Sequence, residues 1–340
     1  MTIALGLGIG TQNSKGEWLE TFFPAPVFQP SDEATKGLQQ VLSIAAGNTT
    51  TELSVEHLQT ISESDAVDQS FRDLAARFVD SQQLAVLVVI EEDLTATSTP
   101  EVYLKLHLLS HRLVKPHGIN LDGIFGLLPN LAWTNKGPID LDELAERQLA
   151  ARLDGEIVEV KSVDKFPQMT DYVVPSGVRI ADTARVRLGA YIGSGTTIMH
   201  EGFVNFNAGT EGTSMIEGRI SAGVMIGSGS DLGGGCSTMG TLSGGGNIII
   251  AVGDNSLIGA NAGIGIPLGD RCTVESGLYI TAGTKVTLLD TNNQVVESIK
   301  ARDLAGKPDL LFRRNSENGR VECLTNKTAI ELNEALHANN

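Results

Sequence analysis

From about Val174 to Val286 the aliphatic residues of this chain recur at every sixth position. Val174, Ile180, Val186, Ile192, Ile198 and Val204 form one unbroken series; Ile220, Ile226 and Leu232 form a second, Val252, Ile258 and Ile264 a third, and Leu268, Val274, Ile280 and Val286 a fourth. A period of six matches neither the 3.6 of an α-helix nor the two-residue alternation of a half-buried strand. It is the mark of a parallel β-helix, in which each short extended segment forms one flat side of a coil. The position four residues after the aliphatic is usually small: Ala184, Ala190, Thr196, Gly202, Ala208, Ser230, Cys236, Ser256, Ala262 and Thr284, with Val224 and Leu278 as exceptions. Small side chains there suit a tight corner packed on the coil interior. With three sides per coil, one rung takes roughly 18 residues, and residues that far apart stack at about 4.8 Å. Most of the chain's 38 glycines fall in the same block, as repeated corners with positive φ require.

Two stretches interrupt the register. Residues 210–215 separate the series ending at Val204 from the one beginning at Ile220, and residues 239–247 separate Leu232 from Val252. Insertions in a solenoid become loops on one face, often the binding face.

Elsewhere the patterning changes character. Residues 1–150 read as an α/β domain, 151–170 as a connector, 171–290 as the coil, and 291–340 as a C-terminal segment with a final helix from about Thr325 to His337. Within the first domain, Ile3–Gly10 reads as a strand; its Gly6, Gly8 and Gly10 fall short of a dinucleotide fingerprint. Residues 31–46 and 64–80 have helical spacing, and Leu84–Ile90 is a buried strand. Ser98, Thr99 and Pro100 start a helix, and another spans Asp140–Leu153. His107 and His111 lie four apart, a spacing that can hold a metal, yet no third ligand is evident and a packing or surface role is expected.

Composition narrows the function classes. The net charge is −16, with pI near 4.8, which excludes the broad basic face of a nucleic-acid binder and requires any anionic ligand to meet a local basic cluster. Three cysteines, Cys236, Cys272 and Cys323, form neither an even disulfide framework nor a CxxC pair. The first apolar run is too short for a signal or a membrane span, so a reducing cytoplasm is expected.

Candidate chemistry gathers near the breaks. Cys236 falls on the small corner position, so it reads as structural. His200, two residues past an inward aliphatic, is either oriented by Asp182 in the same column or simply faces outward. Glu217 and Arg219 directly follow the first break and read either as an acid/base pair or as a surface ion pair. The run Asp231–Ser237 offers glycine N–H groups for an anionic or carbonyl oxygen. Lys285, Arg313 and Arg314 supply positive charge for a phosphate-bearing ligand.

At these residues the sequence resembles the tetrahydrodipicolinate N-succinyltransferases, in their longer form. The likeness rests on MHEGFVNFNAGTEG (199–212), MIEGRISAGVMIGSGSDLGGGCSTMGTLSGGG (215–246), LIGANAGIGIPLGD (257–270), ESGLYITAGTKV (275–286) and LFRRNS (311–316). It implies an α+β N-terminal domain, a left-handed parallel β-helix and a homotrimer with active sites between neighbouring coils. It also implies transfer of succinyl from succinyl-CoA to the amino group of ring-opened tetrahydrodipicolinate, in lysine and diaminopimelate biosynthesis. Glu217 is then the catalytic candidate, as base or acyl carrier, and Arg219, Gly234, Ser237, Ala260, Glu275, Ser276, Gly283, Lys285, Arg313, Arg314, Asn315 and Ser316 line the donor and substrate pocket. Some family members hold a divalent metal such as Mg2+ through an acidic pair; Glu201 matches one ligand, but Ala184 stands at the other. The alternatives are a CoA-dependent transferase for an amino sugar or other amine, a metal hydratase, which would need more coil histidines than His200, and a non-catalytic scaffold.

Overall fold

Three parallel sheets, one per side, run through the C-terminal half of the computed structural model, which describes residues 2–240 and 248–325. Side 1 stacks Arg179–Ile180, Thr197–Ile198, Met215–Ile216, Asp231–Leu232, Leu257–Ile258 and Thr273–Val274. Side 2 stacks Phe203–Val204, Arg219–Ile220, Ser237–Thr238, Gly263–Gly265 and Tyr279–Thr281. Side 3 stacks Ala190–Ile192, Ala208–Thr210, Met225–Ile226 and Ala251–Val252. The six-residue series supplies the inward residues; Ile198, Ile216, Ile220, Ile258 and Val274 are fully buried. This is the expected parallel β-helix.

The rungs are less uniform than a fixed 18. Ile198 stacks on Ile216, 18 positions on, but Ile216 stacks on Leu232 and Leu257 on Thr273, 16 positions on. The first break is also not an inserted loop at 210–215. Thr210 is an inward residue with no exposure, hydrogen-bonded to Thr196 Oγ1 at 2.7 Å, and the chain reaches Ile216 in the normal six steps. The irregularity lies one corner later: Ile216 to Ile220 takes four positions, so the corner Glu217–Gly218 is two residues short. At the second break the chain takes 14 positions from Thr238 to Val252, but residues 241–247 lie outside the described residues. So does most of the terminal helix expected over 325–337.

Beyond Tyr279–Thr281 the chain forms strands Lys285–Leu289, Val295–Lys300, Leu310–Arg314 and Val321–Thr325. Leu311–Phe312 pairs in parallel with Thr273–Val274, so side 1 continues into a mostly antiparallel flap. The turn Ala301–Leu304 extends the hairpin of Lys285–Leu289 with Val295–Lys300 back to the residues just after side 2, Ala301 N donating to Thr284 O at 2.8 Å and Arg302 N to Ala282 O at 3.2 Å.

By contact the chain divides into two compact units: Met1–Leu108 with Gly118–Pro167, and Leu109–His117 with Gln168–Asn340. The short segment in the second unit binds side 3 of the coil. Ser110 Oγ donates to Ala190 O and accepts from Gly189 N, and Lys115 pairs with Glu211 at 2.7 Å.

The first unit contains β1 (Ala4–Gln12), β2 (Trp18–Phe22), β3 (Val27–Phe28), α1 (Asp32–Leu42), β4 (Thr49–Leu53), α2 (Val55–Glu63), α3 (Gln69–Phe78) and β5 (Leu84–Ile90). They are followed by α4 (Thr99–Ser110), whose last two residues count with the second unit, and by α5 (Ile124–Leu127), β6 (Leu131–Thr134), β7 (Gly137–Asp140), α6 (Leu141–Leu153) and β8 (Val160–Asp164). The main sheet runs β2-β1-β5-β4, with β3 also on β1; β7-β6-β8 form a second sheet. Leu5, Leu7, Leu87 and Val89 pack with Leu38, Ile61 and Phe71 of the helices. Gly6 and Gly8 lie against Phe23, and Gly6 also against Leu104, where a Cβ would overlap them. These glycines allow close packing and have no nucleotide role to explain. His107 is buried: Nδ1 donates to Tyr103 O at 2.8 Å and Nε2 accepts from Phe23 N at 3.2 Å. The ring is therefore neutral with both nitrogens engaged, which removes the metal reading of the His107/His111 pair.

Candidate active site on a shortened corner

The corner between sides 1 and 2 collects the candidate residues into a column. In its three regular C-terminal coils it reads Gly233-Gly234-Gly235, Gly259-Ala260-Asn261 and Glu275-Ser276-Gly277. Gly235, Asn261 and Gly277 all adopt positive φ of 56–72°, the left-handed position that reverses a tight turn and favours Gly or Asn. Gly234, Ala260 and Ser276 therefore occupy one equivalent place in successive corners. Backbone bonds stack them: Asn261 N donates to Gly234 O at 2.9 Å and Gly277 N to Ala260 O at 2.8 Å.

Glu217 is the same edge one coil earlier, on the shortened corner. Its N–H donates to Leu232 O at 2.8 Å and its carbonyl accepts from Gly235 N at 3.2 Å, which fixes the backbone to the glycine corner. The half-buried side chain reaches over that corner: Oε2 lies 3.5 Å from where a Cβ on Gly234 would stand. Behind it, Gly218 packs so closely on Cys236 that a Cβ there would overlap Sγ. Burial first, and then the Glu217 charge, pushes the Cys236 thiol up to about 12. Cys236 is a buried thiol in the coil wall, as its corner position implies, and it is no nucleophile.

Arg219 and Ser237 stand in register on the outer surface of side 2, and Arg219 Nη2 donates to Ser237 Oγ at 2.6 Å. Arg219 thus reaches along the coil to Ser237. The expected cradle of N–H groups over Asp231–Ser237 is also largely spent. Asp231, Gly233, Gly235, Cys236 and Ser237 donate to Ser256 O, Ile258 O, Glu217 O, Gly233 O and Ala262 O.

The flap joins the far end of the column. Glu275 Oε2 accepts from Arg314 N at 2.6 Å, and Glu275 N donates to Phe312 O at 2.9 Å. Arg313 Nε donates to Glu322 at 3.0 Å, and Asn315 Nδ2 to the same carboxylate at 2.7 Å. Ser316 is exposed in the loop 315–320. Gly283 and Lys285 belong to the turn into strand Lys285–Leu289, on a different corner from Glu217.

Glu201 is exposed, with His200 Nε2 3.7 Å from Oε1. Asp182 caps Ala184 N at 3.1 Å, so its carboxylate serves the local turn and does not orient His200. Ala184 has no donor to add, and among the described residues no three His, Cys, Asp or Glu side chains gather as metal ligands. The residues of one chain do not fit a divalent cation at Glu201, and no step below runs through one.

The chain matches the family model "Hexapeptide repeat of succinyl-transferase" over residues 249–282, which defines the coil as that of a hexapeptide-repeat transferase. Residues 33–126 and 128–168 match the models "Tetrahydrodipicolinate N-succinyltransferase N-terminal" and "middle". A 2,3,4,5-tetrahydropyridine-2,6-dicarboxylate N-succinyltransferase of Pseudomonas paraeruginosa is 65% identical, over 99% of this chain and 98% of its own. One of Vibrio cholerae is 58% identical, covering 99% of each. A crystal structure from Campylobacter jejuni, described as a 2,3,4,5-tetrahydropyridine-2-carboxylate N-succinyltransferase, has a TM-score of 0.88 at 32% identity and covers 97% of this chain and 93% of its own. The chain belongs to the tetrahydrodipicolinate N-succinyltransferase family.

Proposed function

We propose that the chain transfers the succinyl group of succinyl-CoA to the amino group of ring-opened tetrahydrodipicolinate. The products are N-succinyl-2-amino-6-oxoheptanedioate and CoA, and the reaction serves lysine and diaminopimelate synthesis. The observation that carries this is 65% identity over 99% of the chain to an enzyme of that name. The geometry supports the same chemistry. The acceptor nitrogen attacks the thioester carbon, the carbonyl electrons move onto oxygen, and the C–S bond then breaks as they return. The ammonium proton must leave for a base, and the CoA thiolate takes one up. Glu217 is the base: its carboxylate projects over a corner without side chains, so an amine can approach it directly or through a water. Its alternative role as an acyl carrier predicts a succinylated Glu217 peptide in rapid-quench mass spectrometry.

The anionic partners need cations, and the acidic chain offers Arg219 beside Glu217 with Arg313, Arg314 and Lys285 further along the coil. Gly234, Ser237, Ala260, Glu275, Ser276, Gly283, Asn315 and Ser316 complete the binding surface. Because the column opens outward in one chain, the site is closed by neighbouring subunits of a homotrimer. The enzyme works in the cytoplasm. Among the described residues no helix is long and apolar enough to cross a membrane. The test is release of CoA thiol from succinyl-CoA by purified protein. Turnover that requires tetrahydrodipicolinate is expected; no turnover by a folded trimer would overturn the reading.

A further inference from the structure

An irregular bond interrupts the side 1 ladder two residues before Glu217. In neighbouring rungs the residue before the inward aliphatic donates its N–H to a main-chain carbonyl of the next coil. Thr197 donates to Ser214 O at 2.8 Å, Asp231 to Ser256 O at 2.9 Å and Leu257 to Cys272 O at 2.8 Å. Met215 stands at the equivalent place, and its N–H donates to a side chain, Asp231 Oδ1, at 2.9 Å. The register between these two rungs holds at Ile216 and Leu232, whereas the rung before aligns two pairs, Thr197 with Met215 and Ile198 with Ile216. A short rung is not the cause. Leu257 to Thr273 also takes 16 positions, yet Leu257 keeps the ordinary bond.

The strand that carries Glu217 is therefore held at two points. Its far end is fixed by main chain, Glu217 N donating to Leu232 O at 2.8 Å. Its near end is fixed by a carboxylate from the next coil. Asp231 faces outward, between Met215 and Leu257 in its column, yet it is buried. A buried carboxylate costs free energy unless it is hydrogen-bonded, and the Met215 N–H gives it a charge-assisted bond. The contact fixes the tilt of strand Met215–Ile216 and, through it, the direction in which the Glu217 side chain leaves the shortened corner. We propose that Asp231 is a positioning residue for Glu217, acting through the Met215 N–H and not on the substrate. This rests on the reading of Glu217 as the base of succinyl transfer.

The experiment is a double-substitution cycle of Asp231 and Glu217, read by steady-state kinetics on the full-length protein. Asp231→Ala lowers kcat about thirtyfold, within the hundredfold that a displacement of about 1 Å can cost, and leaves KM for both substrates within about twofold. Asp231→Asn keeps an acceptor oxygen for the Met215 N–H and recovers kcat to within about threefold of wild type, as the exchange of a charged for a neutral acceptor allows. In the Glu217→Ala background, Asp231→Ala changes the residual rate by less than about twofold, because the group it positions is gone. A full additive loss in that background overturns the proposal, as does wild-type kcat in Asp231→Ala or an effect confined to KM. Asn no better than Ala also overturns it, since the charge and not the bond would then matter. Asp231→Ser, whose oxygen sits one bond closer to the main chain, repeats the Ala pattern. If neither Ala nor Ser assembles with wild-type mass and Tm, Asp231 is a staple of the coil and the proposal falls. If wild-type protein turns over and Glu217→Ala matches it, the reading of Glu217 as base fails; if wild-type protein does not turn over, the succinyltransferase reading fails.

Discussion

The corner at 216–220 and the three regular corners below it occupy the same edge of one coil but handle it differently. The regular corners spend six positions and turn on a left-handed residue, Gly235, Asn261 or Gly277. Their side chains at the apex are Gly234, Ala260 and Ser276, small or absent. The shortened corner spends four positions, has no left-handed residue and is drawn in against Cys236 through Gly218. It places a long carboxylate where the three corners that follow place a small side chain or none. A repeat unit can thus build a site by subtraction: removing two residues pulls one side chain over the flat surface left by the next coil.

The sharpest way to break this comparison is Glu217→Ala. Turnover should fall about a thousandfold, the usual scale for losing a general base, with unchanged circular dichroism and subunit mass; near-wild-type activity would return Glu217 to an ordinary corner residue. Inserting Gly-Ser after Glu217 restores the six-step corner. It should cost about a hundredfold in kcat, since a displacement near 1 Å suffices for that. An active insertion variant would show that the shortening is incidental. Gly218→Ala forces a methyl against Cys236 and should destabilise by about 1–3 kcal/mol in urea unfolding. Asn261→Gly in a regular corner should change stability by less than about 0.5 kcal/mol, because both residues accept positive φ.

Alkaline unfolding separates the two regions further. The Cys236 thiol is raised in the folded protein, by burial and then by Glu217, from an ordinary 9 to about 12. Above pH 9 the unfolded chain has released this proton and the folded one has not, so stability is full below pH 9 and falls as pH rises toward 12. Each such group contributes a slope of up to about 1.4 kcal/mol per pH unit. Cys323 is raised to about 12 mainly by burial, so Cys236→Ala should flatten the curve only in part. An unchanged curve would remove the buried-thiol account of Cys236.

The coil was legible because burial imposes a period that only apolar side chains satisfy. The misplacement of its first break has a specific cause. Thr210 and Thr238 are inward and fully buried, yet polar, with Thr210 satisfied by Thr196 and Thr238 Oγ1 by Arg219 O. The aliphatic series therefore stops at Val204 although the coil continues for two more sides. Glu217 and Arg219 were visible as local motifs, and Ser237, 18 positions after Arg219, falls in its column on the regular spacing; the side-chain contact between them was not legible, because spacing gives a column but not where a long side chain leans. The partnership of Arg313 and Asn315 with Glu322 depends on the hairpin of Leu310–Arg314 with Val321–Thr325, a pairing that carries no six-residue signal.

The flap after the last coil bears on how the molecule avoids polymerising. A solenoid end is a bare sheet edge, and an identical edge on another molecule is its natural partner. Here the final rung of side 1 gives its backbone groups to the chain's own Leu311–Phe312, and the turn at Ala301 bonds to Thr284 and Ala282 just past side 2. Side 1 is thereby capped at this end against head-to-tail fibre growth.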